Sequence, residues 1–179
     1  MGSPETWAEL RDFVAARGMA LSRTAFLLTG SEAAAEDLVQ DTYVDVVRRW
    51  WRIDHGNPEP YVRRIMYSRF VDGYRRRRLR DWAFTTGDVE ALPSGASPGP
   101  ESGVVDRLTF EEALRRLTPR QRMVLVLRFY DDMTEAQAAE AMKVSPSTVK
   151  SQTRLALRRL GELAPELVRA ESDLPEGVG

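Results

Sequence analysis

Cysteine is absent from the 179-residue chain, and His55 is its only histidine. These absences exclude a disulfide framework and a thiolate metal site, and they favour a reducing, cytoplasmic compartment. His55 has no cluster of metal-ligating neighbours, so we expect it to be a surface loop residue. No apolar run approaches the roughly 20 residues that a membrane span needs, so we expect no membrane insertion.

Enzymatic motifs are also lacking. The sequence has no glycine-rich phosphate loop, no dinucleotide fingerprint and no cysteine nucleophile. An enzyme of the common nucleophilic, metal-dependent or nucleotide-binding classes is therefore not indicated. We expect a protein without a cofactor and without a catalytic site.

The net charge of −1 conceals three blocks of opposite sign. Between Arg48 and Arg80, eleven arginines stand against three acids, and Lys143 to Arg159 contains five basic residues and no acid. Between Glu5 and Asp45, eight acids stand against three arginines. Two basic blocks indicate contact with a polyanion, and the acidic block indicates a different partner.

Residues 85–103 concentrate proline, glycine, serine and threonine and lack helical periodicity, which predicts a flexible linker. The linker would separate two small helical domains, residues 5–84 and 104–170, followed by a disordered tail at 171–179. The predicted fold class is all-α. The predicted helices are Thr6–Gly18, Ala20–Leu28, Ser31–Trp51, Pro60–Trp82, Val104–Leu117, Pro119–Phe129, Thr134–Met142 and Pro146–Leu160.

Residues 133–160 have the pattern of a helix-turn-helix, a short helix and a tight turn before a second helix with a basic face. Ser145 is a candidate N-cap, with Pro146 at the first helical position. At about 100° per residue, two sets fall on opposite sides of that second helix. The packing side holds Val149, Thr153, Ala156 and Leu160, and the exposed side holds Ser147, Lys150, Ser151, Arg154 and Arg158.

Lys143 occupies the turn position of this pattern, four residues after Ala139 and six before Val149. Glycine suits such a position because the backbone there adopts a positive φ, which costs a lysine on the order of 1 kcal/mol. An ordinary helical hairpin with a solvated basic face is the alternative interpretation of the segment.

The helix beginning at Ser31 has two distinct faces. Val39, Thr42, Tyr43, Val46 and Trp50 share the side that can be buried. The opposite, polar side carries Asp37, Gln40, Asp41 and Arg48. A merely solvated acidic face and a docking surface for a basic partner both fit this pattern.

Three segments of the chain resemble conserved regions of bacterial sigma factors. They are AEDLVQDTYVDVVRRW at 35–50, NPEPYVRRIMYSRFVDGYRRRR at 57–78 and LTPRQRMVLVLRFYDDMTEAQAAEAM at 117–142. Together they are similar to group 4, extracytoplasmic-function (ECF) sigma factors, and to an actinobacterial, SigE-like subset of them. The resemblance implies region 2 in the first domain and region 4 in the second.

Two surfaces of the first domain follow from this resemblance. It implies that Asp37, Gln40 and Asp41 contact the β′ clamp helices of core RNA polymerase. It also implies that the loop at 55–60 captures a base flipped from the −10 element, for which Asn57 offers both a donor and an acceptor. Asn57-Pro58 is equally typical of a turn before a helix. The −10 candidates are Asn57, Arg63, Arg64, Tyr67, Arg75, Arg76, Arg77 and Arg78.

Two apolar stripes compete for the core of the helix 60–82. One runs through Tyr67, Phe70 and Tyr74 between Arg63 and Arg78, as an aromatic platform for single-stranded DNA would. The other contains Tyr61, Ile65 and Leu79. Periodicity leaves open which stripe is buried, whereas four consecutive arginines from Arg75 must reach solvent or phosphate somewhere.

In the second domain, the resemblance implies that the recognition helix binds the −35 element. The candidate residues are Ser147, Thr148, Lys150, Ser151, Arg154 and Arg158. Val124, Leu125, Leu127 and Phe129 are each predicted to be core, although part of this domain docks the β flap in the family.

The implied function is that of a sigma factor that joins core RNA polymerase and selects promoters through their −35 and −10 elements. The implied partners are core polymerase, promoter DNA and an anti-sigma factor. A stand-alone helix-turn-helix regulator that binds a duplex operator is the alternative, because it would share residues 133–160 and need no polymerase-facing helix.

Overall fold

A computed structural model describes residues 4–53, 56–84 and 110–165, and describes side chains within 7–53, 56–77 and 110–165. Every regular element in these ranges is a helix, which confirms the all-α fold class. The helices are α1 (Pro4–Thr29), α2 (Glu32–Arg49), a 3₁₀ turn (Trp50–Arg52), α3 (Glu59–Phe84), α4 (Phe110–Arg115), α5 (Pro119–Leu125), a π turn (Val126–Tyr130), α6 (Glu135–Met142) and α7 (Pro146–Leu163).

The described chain forms two compact units, the first containing α1 to α3 and the second containing α4, α5 and α7. Helix α6 is described below with α7, its neighbour in sequence. The predicted linker at 85–103, the start of the helix predicted from Val104, and the tail at 171–179 lie outside the described residues. The domain boundaries at 5–84 and 104–170 therefore stay predictions.

Helix α1 is continuous, so the prediction of separate helices at Thr6–Gly18 and Ala20–Leu28 is wrong. Gly18 lies within the helix, where glycine costs up to about 1 kcal/mol relative to alanine. A Cβ atom at Gly18 would lie 3.4 Å from the hydroxyl of Tyr43 on α2. Gly18 therefore marks a close approach of two helices rather than a helix end.

Helix α1 ends at Thr29, and the next residue, Gly30, has a φ of 74° and donates its N–H to the carbonyl of Phe26 at 2.7 Å. A glycine adopts this left-handed conformation without a Cβ clash. Ser31 then caps α2 as predicted, with its side chain accepting from the N–H of Ala34.

The core of the first unit joins all three of its helices. Leu21 and Leu28 of α1, Val46 of α2 and Val62 of α3 are buried, and Trp50 is only 2% exposed. The rings of Phe13 and Trp50 lie 5.6 Å apart. The predicted packing side of α2 is confirmed, because Thr42, Val46 and Trp50 are buried and Val39 and Tyr43 are half-buried.

Helix α3 buries parts of both competing stripes. Ile65 is buried from one, and Tyr67 and Phe70 are buried from the other, whereas Tyr61 is exposed. The helix packs against both α1 and α2, so a broad sector of its surface is covered. Helical periodicity predicts one buried stripe for a helix with one packing partner, so it left these two stripes as alternatives.

The second unit has its core along α5 and α7. Thr118 and Gln121 form a reciprocal capping box at the start of α5, with Pro119 at the first turn. Val124, Leu125 and Leu127 are buried as predicted, but Phe129 is 51% exposed, so its assignment to the core is wrong. The π turn inserts an extra residue per turn and carries Phe129 out of the buried sector.

Candidate nucleic-acid and protein interfaces

The helix-turn-helix begins with a second reciprocal cap. The N–H of Thr134 donates to Gln137 Oε1 at 2.8 Å, and the N–H of Gln137 donates to Thr134 Oγ1 at 3.2 Å. This arrangement fixes the start of α6, as predicted.

Lys143 has a φ of 56°, so the left-handed turn expected at this position is confirmed. The N–H of Lys143 donates to Glu140 O at 3.1 Å, and the N–H of Val144 donates to Ala139 O at 3.0 Å. These bonds satisfy carbonyls at the end of α6 and turn the chain into α7. They offset the conformational cost of a non-glycine residue here.

Helix α7 packs with the predicted face. Val149, Ala156 and Leu160 are buried, and Thr153 is half-buried with its hydroxyl bonded to Val149 O at 2.9 Å. Ser145 caps the helix by accepting from the N–H of Thr148 at 3.2 Å.

The opposite face of α7 presents three cations along one stripe. Lys150, Arg154 and Arg158 are exposed at intervals of four residues, and none has an ion pair among the described residues. By contrast, the neighbouring Arg159 bonds Glu162 at 2.9 Å. The stripe therefore keeps its positive charge available for an anionic partner.

The hydroxyl candidates of α7 differ in how their side chains are used. Ser147 is exposed and lies 2.9 Å from Ser145 Oγ. Thr148 is half-buried, with its hydroxyl 2.8 Å from Ser145 Oγ, and Ser151 is half-buried and donates to Thr148 O at 3.0 Å. Thr148 and Ser151 thus shape the start of the helix while leaving less surface for a ligand than the three cations do.

Helix α2 presents the predicted polar side to solvent, since Asp37, Gln40, Asp41 and Arg48 are all exposed. Neither Asp37 nor Asp41 has a cationic partner in the part of the chain that the structure describes. An unpaired acidic stripe on a well-packed helix suits a basic protein surface.

Asp45 is an exception among the acids of α2, because it is buried and bound by Arg69 of α3 at 2.5 Å. Sequence reasoning missed this pair. The one sequence signal for the pair is that Asp45 and Arg69 each lie among apolar residues of their helices. A charged side chain in a buried part of a helix requires a partner of opposite charge.

Arg63 is also held inside the first unit. Its Nε lies 3.0 Å from Glu59, its Nη1 donates to Thr24 Oγ1 at 3.1 Å, and Glu59 additionally binds Arg17 at 3.1 Å. Only 17% of the Arg63 side chain is exposed. This arginine therefore connects α1 with α3, and the structure removes it from the candidate DNA surface.

Tyr67 is 1% exposed, so its assignment as a DNA contact is wrong. A buried ring cannot stack on an incoming base without leaving the core. Asn57, Arg64 and Arg75 to Arg77 are exposed and remain candidates. The side chain of Arg78, together with His55 in the loop before Asn57, lies outside the described residues.

A surface depression of about 480 Å³ is lined by residues of both α2 and α3 within the first unit. Its lining includes the guanidinium groups of Arg49, Arg64 and Arg69 and the exposed ring of Tyr61. Asp45 offsets one of these charges through its pair with Arg69. Arg49 and Tyr61 were not among the sequence-based candidates, although both lie close to the predicted −10 loop in sequence.

The described ranges contain no cluster of side chains that could hold a metal ion. They also contain no helix with the length and apolar character needed to cross a bilayer.

The two units match two families of one protein class. Residues 13–80 match sigma-70 region 2, and residues 107–160 match sigma-70 region 4. A match to region 2 distinguishes the chain from a stand-alone helix-turn-helix regulator, which would need only the second unit.

Whole-chain comparisons agree. The chain is 32% identical over 166 residues to the RNA polymerase sigma-E factor of Streptomyces coelicolor, covering 92% of this chain and 89% of that protein. It is 30% identical over 152 residues to the ECF RNA polymerase sigma factor SigL of Mycobacterium tuberculosis, covering 82% and 84%.

Among solved structures, the chain is similar to the sigma factor RpoE of Bartonella quintana, in a co-crystal with the anti-sigma factor NepR. The TM-score is 0.59 at 25% identity, and the alignment covers 86% of this chain and 95% of that chain. The chain therefore belongs to the sigma-70 family as a group 4, extracytoplasmic-function sigma factor, and directs promoter-specific initiation of transcription.

Proposed function

We propose that three surfaces of this sigma factor divide the work of initiation. The polar side of α2 binds core RNA polymerase, the basic part of the first unit holds the melted −10 strand, and α7 binds the −35 element. The observation that carries the proposal is the stripe of Lys150, Arg154 and Arg158, which is exposed, unpaired among the described residues and opposite the buried face of α7.

Helix α7 suits duplex DNA because its packing face fixes it while its cations remain available. Arginine and lysine side chains contact guanine edges in the major groove or neutralise phosphates. Ser147 and the partly exposed Thr148 and Ser151 supply hydroxyls near the N-terminus of the helix, where backbone N–H groups favour phosphate.

On α2, we assign Asp37, Gln40 and Asp41 to the β′ clamp helices of core polymerase. Their exposure and the absence of described cationic partners for the two carboxylates support the assignment. In the second unit, exposed Phe129 and Tyr130 give the β flap an apolar anchor.

For the −10 element, the surviving candidates are Asn57, Arg64 and the run from Arg75 to Arg78. The arginines supply affinity that falls with salt, and Asn57 supplies hydrogen bonds to a base edge. Binding of one unit raises the effective concentration of the other at its own element, so two modest contacts produce a selective complex.

We further propose regulation by an anti-sigma factor, because RpoE, a structural relative, is crystallised with one. The proposed compartment is the cytoplasm, where core polymerase and DNA are found. The relatives are RNA polymerase sigma factors, and in this role we propose neither a catalytic activity nor a cofactor for the chain.

One experiment tests the whole proposal. The protein is added to core polymerase, genomic DNA is transcribed in vitro, and the RNA 5′ ends are sequenced. We expect a set of start sites that share a pair of upstream elements. Start sites that match those made by core polymerase alone would contradict the proposal.

The polymerase surface has its own test. Asp41→Arg places a cation in the acidic stripe, so we expect affinity for core polymerase to fall at least tenfold while binding of α7 to −35 DNA is unchanged. Lys150→Ala is the matched control, because it should weaken binding to −35 DNA and leave the affinity for core polymerase unchanged. Unchanged core affinity in Asp41→Arg would contradict the clamp-helix assignment.

A further inference from the structure

The first turn of α3 follows directly on the predicted −10 loop. Helix α3 begins at Glu59, and the carbonyl of Pro58 accepts the N–H of Val62 at 3.1 Å. Asn57, the candidate for contact with a base, therefore lies immediately before the first residue that takes part in the helical hydrogen bonds. Whatever fixes the first turn of α3 also limits where the backbone of Asn57 can lie.

Two arginines from different helices share the carboxylate of Glu59. Its Oε1 is bound by Nε of Arg63, one turn later on α3, at 3.0 Å, and its Oε2 is bound by Nε of Arg17 on α1 at 3.1 Å. Arg63 in turn donates to Oγ1 of Thr24, a fully buried residue of α1, at 3.1 Å. The start of α3 is thus tied to α1 at two points, through Arg17 and through Thr24.

Arg17 is not needed to balance the charge of Glu59. Arg63 already supplies an opposite charge, and the helix dipole favours a carboxylate at the N-terminus of α3. The side chain of Arg17 is 57% exposed, and an ion pair with so exposed a member contributes little to stability. Its distinct contribution is geometric, because it fixes the second carboxylate oxygen of Glu59 relative to α1.

We propose that Arg17 is a positioning residue for recognition of the −10 element, which acts through Glu59 to hold Asn57 where it binds an unpaired base. A side chain that binds a base edge must be held within about 0.5 Å of its productive position. A preorganised loop also loses less conformational entropy when the base binds. The inference rests on the proposed role of Asn57, and it adds a residue of α1 that does not itself touch DNA.

The test measures base discrimination at the −10 element. Holoenzyme is assembled from core polymerase, on a promoter identified by sequencing of RNA 5′ ends. Each base pair of the −10 element is changed in turn, and the rate of open-complex formation is compared with the rate on the unchanged promoter. Effects that a variant has on every template alike, including the loss of a charge, cancel in the ratio of the two rates.

Asn57→Ala should lose discrimination at one position of the element, which identifies the base that Asn57 binds. Arg17→Ala should reduce discrimination at that same position about fivefold, within the range for residues coupled in one network. Arg17→Lys should keep most of it, because lysine retains a cation that can pair with Glu59. Arg11→Ala is the matched control, since Arg11 is another exposed arginine of α1 with no ion pair among the described residues. It should leave discrimination unchanged at every position.

The route through Glu59 has its own variant. Glu59→Gln should reduce discrimination at the same position. Adding Arg17→Ala to it should reduce discrimination no further, because Arg17 acts only through that carboxylate. The Arg17→Ala protein should match the Arg11→Ala protein in affinity for core polymerase and in the urea midpoint measured by tryptophan fluorescence.

Three outcomes would overturn the proposal. Equal weakening of every template by Arg17→Ala, with a smaller dependence on salt, would make Arg17 a phosphate contact. Loss of discrimination at all positions together with a lower urea midpoint would make it a structural link only. Wild-type discrimination in Arg17→Ala or in Asn57→Ala would show, respectively, that the loop does not depend on Arg17 or that Asn57 binds no base. Failure of the sigma function itself is distinguishable, because then the wild-type protein would select no promoters.

Discussion

The arginines of α3 and those of α7 look alike in sequence but differ in the folded protein. On α3, Arg63 and Arg69 are bound by Glu59 and Asp45 inside the first unit. On α7, Arg154 and Arg158 have no ion pair among the described residues. Basic blocks therefore overestimate a nucleic-acid surface wherever some of their members pair with acids of the same unit. The availability of the charge, rather than the number of charges, distinguishes a binding stripe from a structural one.

The largest effect on the balance between paired and available charges is expected from Asp45→Ala. The substitution leaves Arg69, whose side chain is 30% exposed, without its carboxylate. We expect the first unit to lose about 2 to 3 kcal/mol in free energy of unfolding, somewhat less than a fully buried pair because solvent still reaches Arg69.

Urea denaturation followed by tryptophan fluorescence measures this loss, because all four tryptophans lie within residues 1–84. Far-UV circular dichroism reports both units and serves as the control. A fluorescence midpoint equal to that of the wild type would show that the pair is dispensable, and that Arg69 belongs with the available charges.

Arg122 differs from both the ion-paired arginines of α3 and the exposed arginines of α7. It is buried in the second unit, and its Nε has no hydrogen-bond partner. Burial, with the nearby Arg115 adding repulsion, lowers the pKa of Arg122 to about 10. Replacing it with a methionine of similar length should raise the free energy of unfolding of the second unit by about 1 to 3 kcal/mol.

The pH dependence gives this prediction a sign. Below about pH 10 Arg122 is charged in both the folded and the unfolded chain, so the free-energy cost of burying its charge does not change with pH. Above about pH 10 the folded chain has lost this proton while the unfolded chain still holds it, so the free energy of unfolding rises with pH until the unfolded guanidinium also titrates. Arg122→Met should abolish that contribution. Circular dichroism should show the stabilisation while tryptophan fluorescence is unchanged. A destabilised variant would indicate that Arg122 has a role in packing.

A smaller effect is expected on DNA binding by α7. Arg154→Ala should weaken binding to a −35 duplex about tenfold, the scale of one contact to a base or phosphate. Arg159→Ala is the matched control on the same helix, because Arg159 already bonds Glu162. Fluorescence anisotropy with a labelled duplex at several salt concentrations measures both. Equal losses in the two variants would contradict the distinction between available and paired charges.

Much of the site could be predicted from local sequence. The caps at Ser31, Thr118 and Ser145, the left-handed turn at Lys143 and the two faces of α7 each depend on residues within a few positions of one another. The exposed stripe of α2 can be predicted for the same reason, since the pattern of apolar and polar residues in an amphipathic helix indicates which face is buried.

The failures arise where packing between segments or a local change of helical register does not follow from periodicity. A glycine at position 18 predicts a helix end, whereas in the structure Gly18 allows the approach of Tyr43, which is distant in sequence. The alternation of aromatic and arginine residues predicts a DNA contact at Tyr67, whereas α3 packs on two neighbours and buries more than one stripe. The apolar run predicts a core position for Phe129, whereas the π turn shifts the helical register without a sequence signal that we identified.

The helical class, the position of the helix-turn-helix and the resemblance to sigma factors follow from periodicity, capping residues and motif order. Which arginines are paired, which aromatic rings are buried and why Trp51 is exposed beside the buried Trp50 follow only from the packing of the folded chain. These outcomes depend on which side chains from distant segments of the chain come into contact. A charge or an aromatic ring is available to a partner only where no such contact already occupies it.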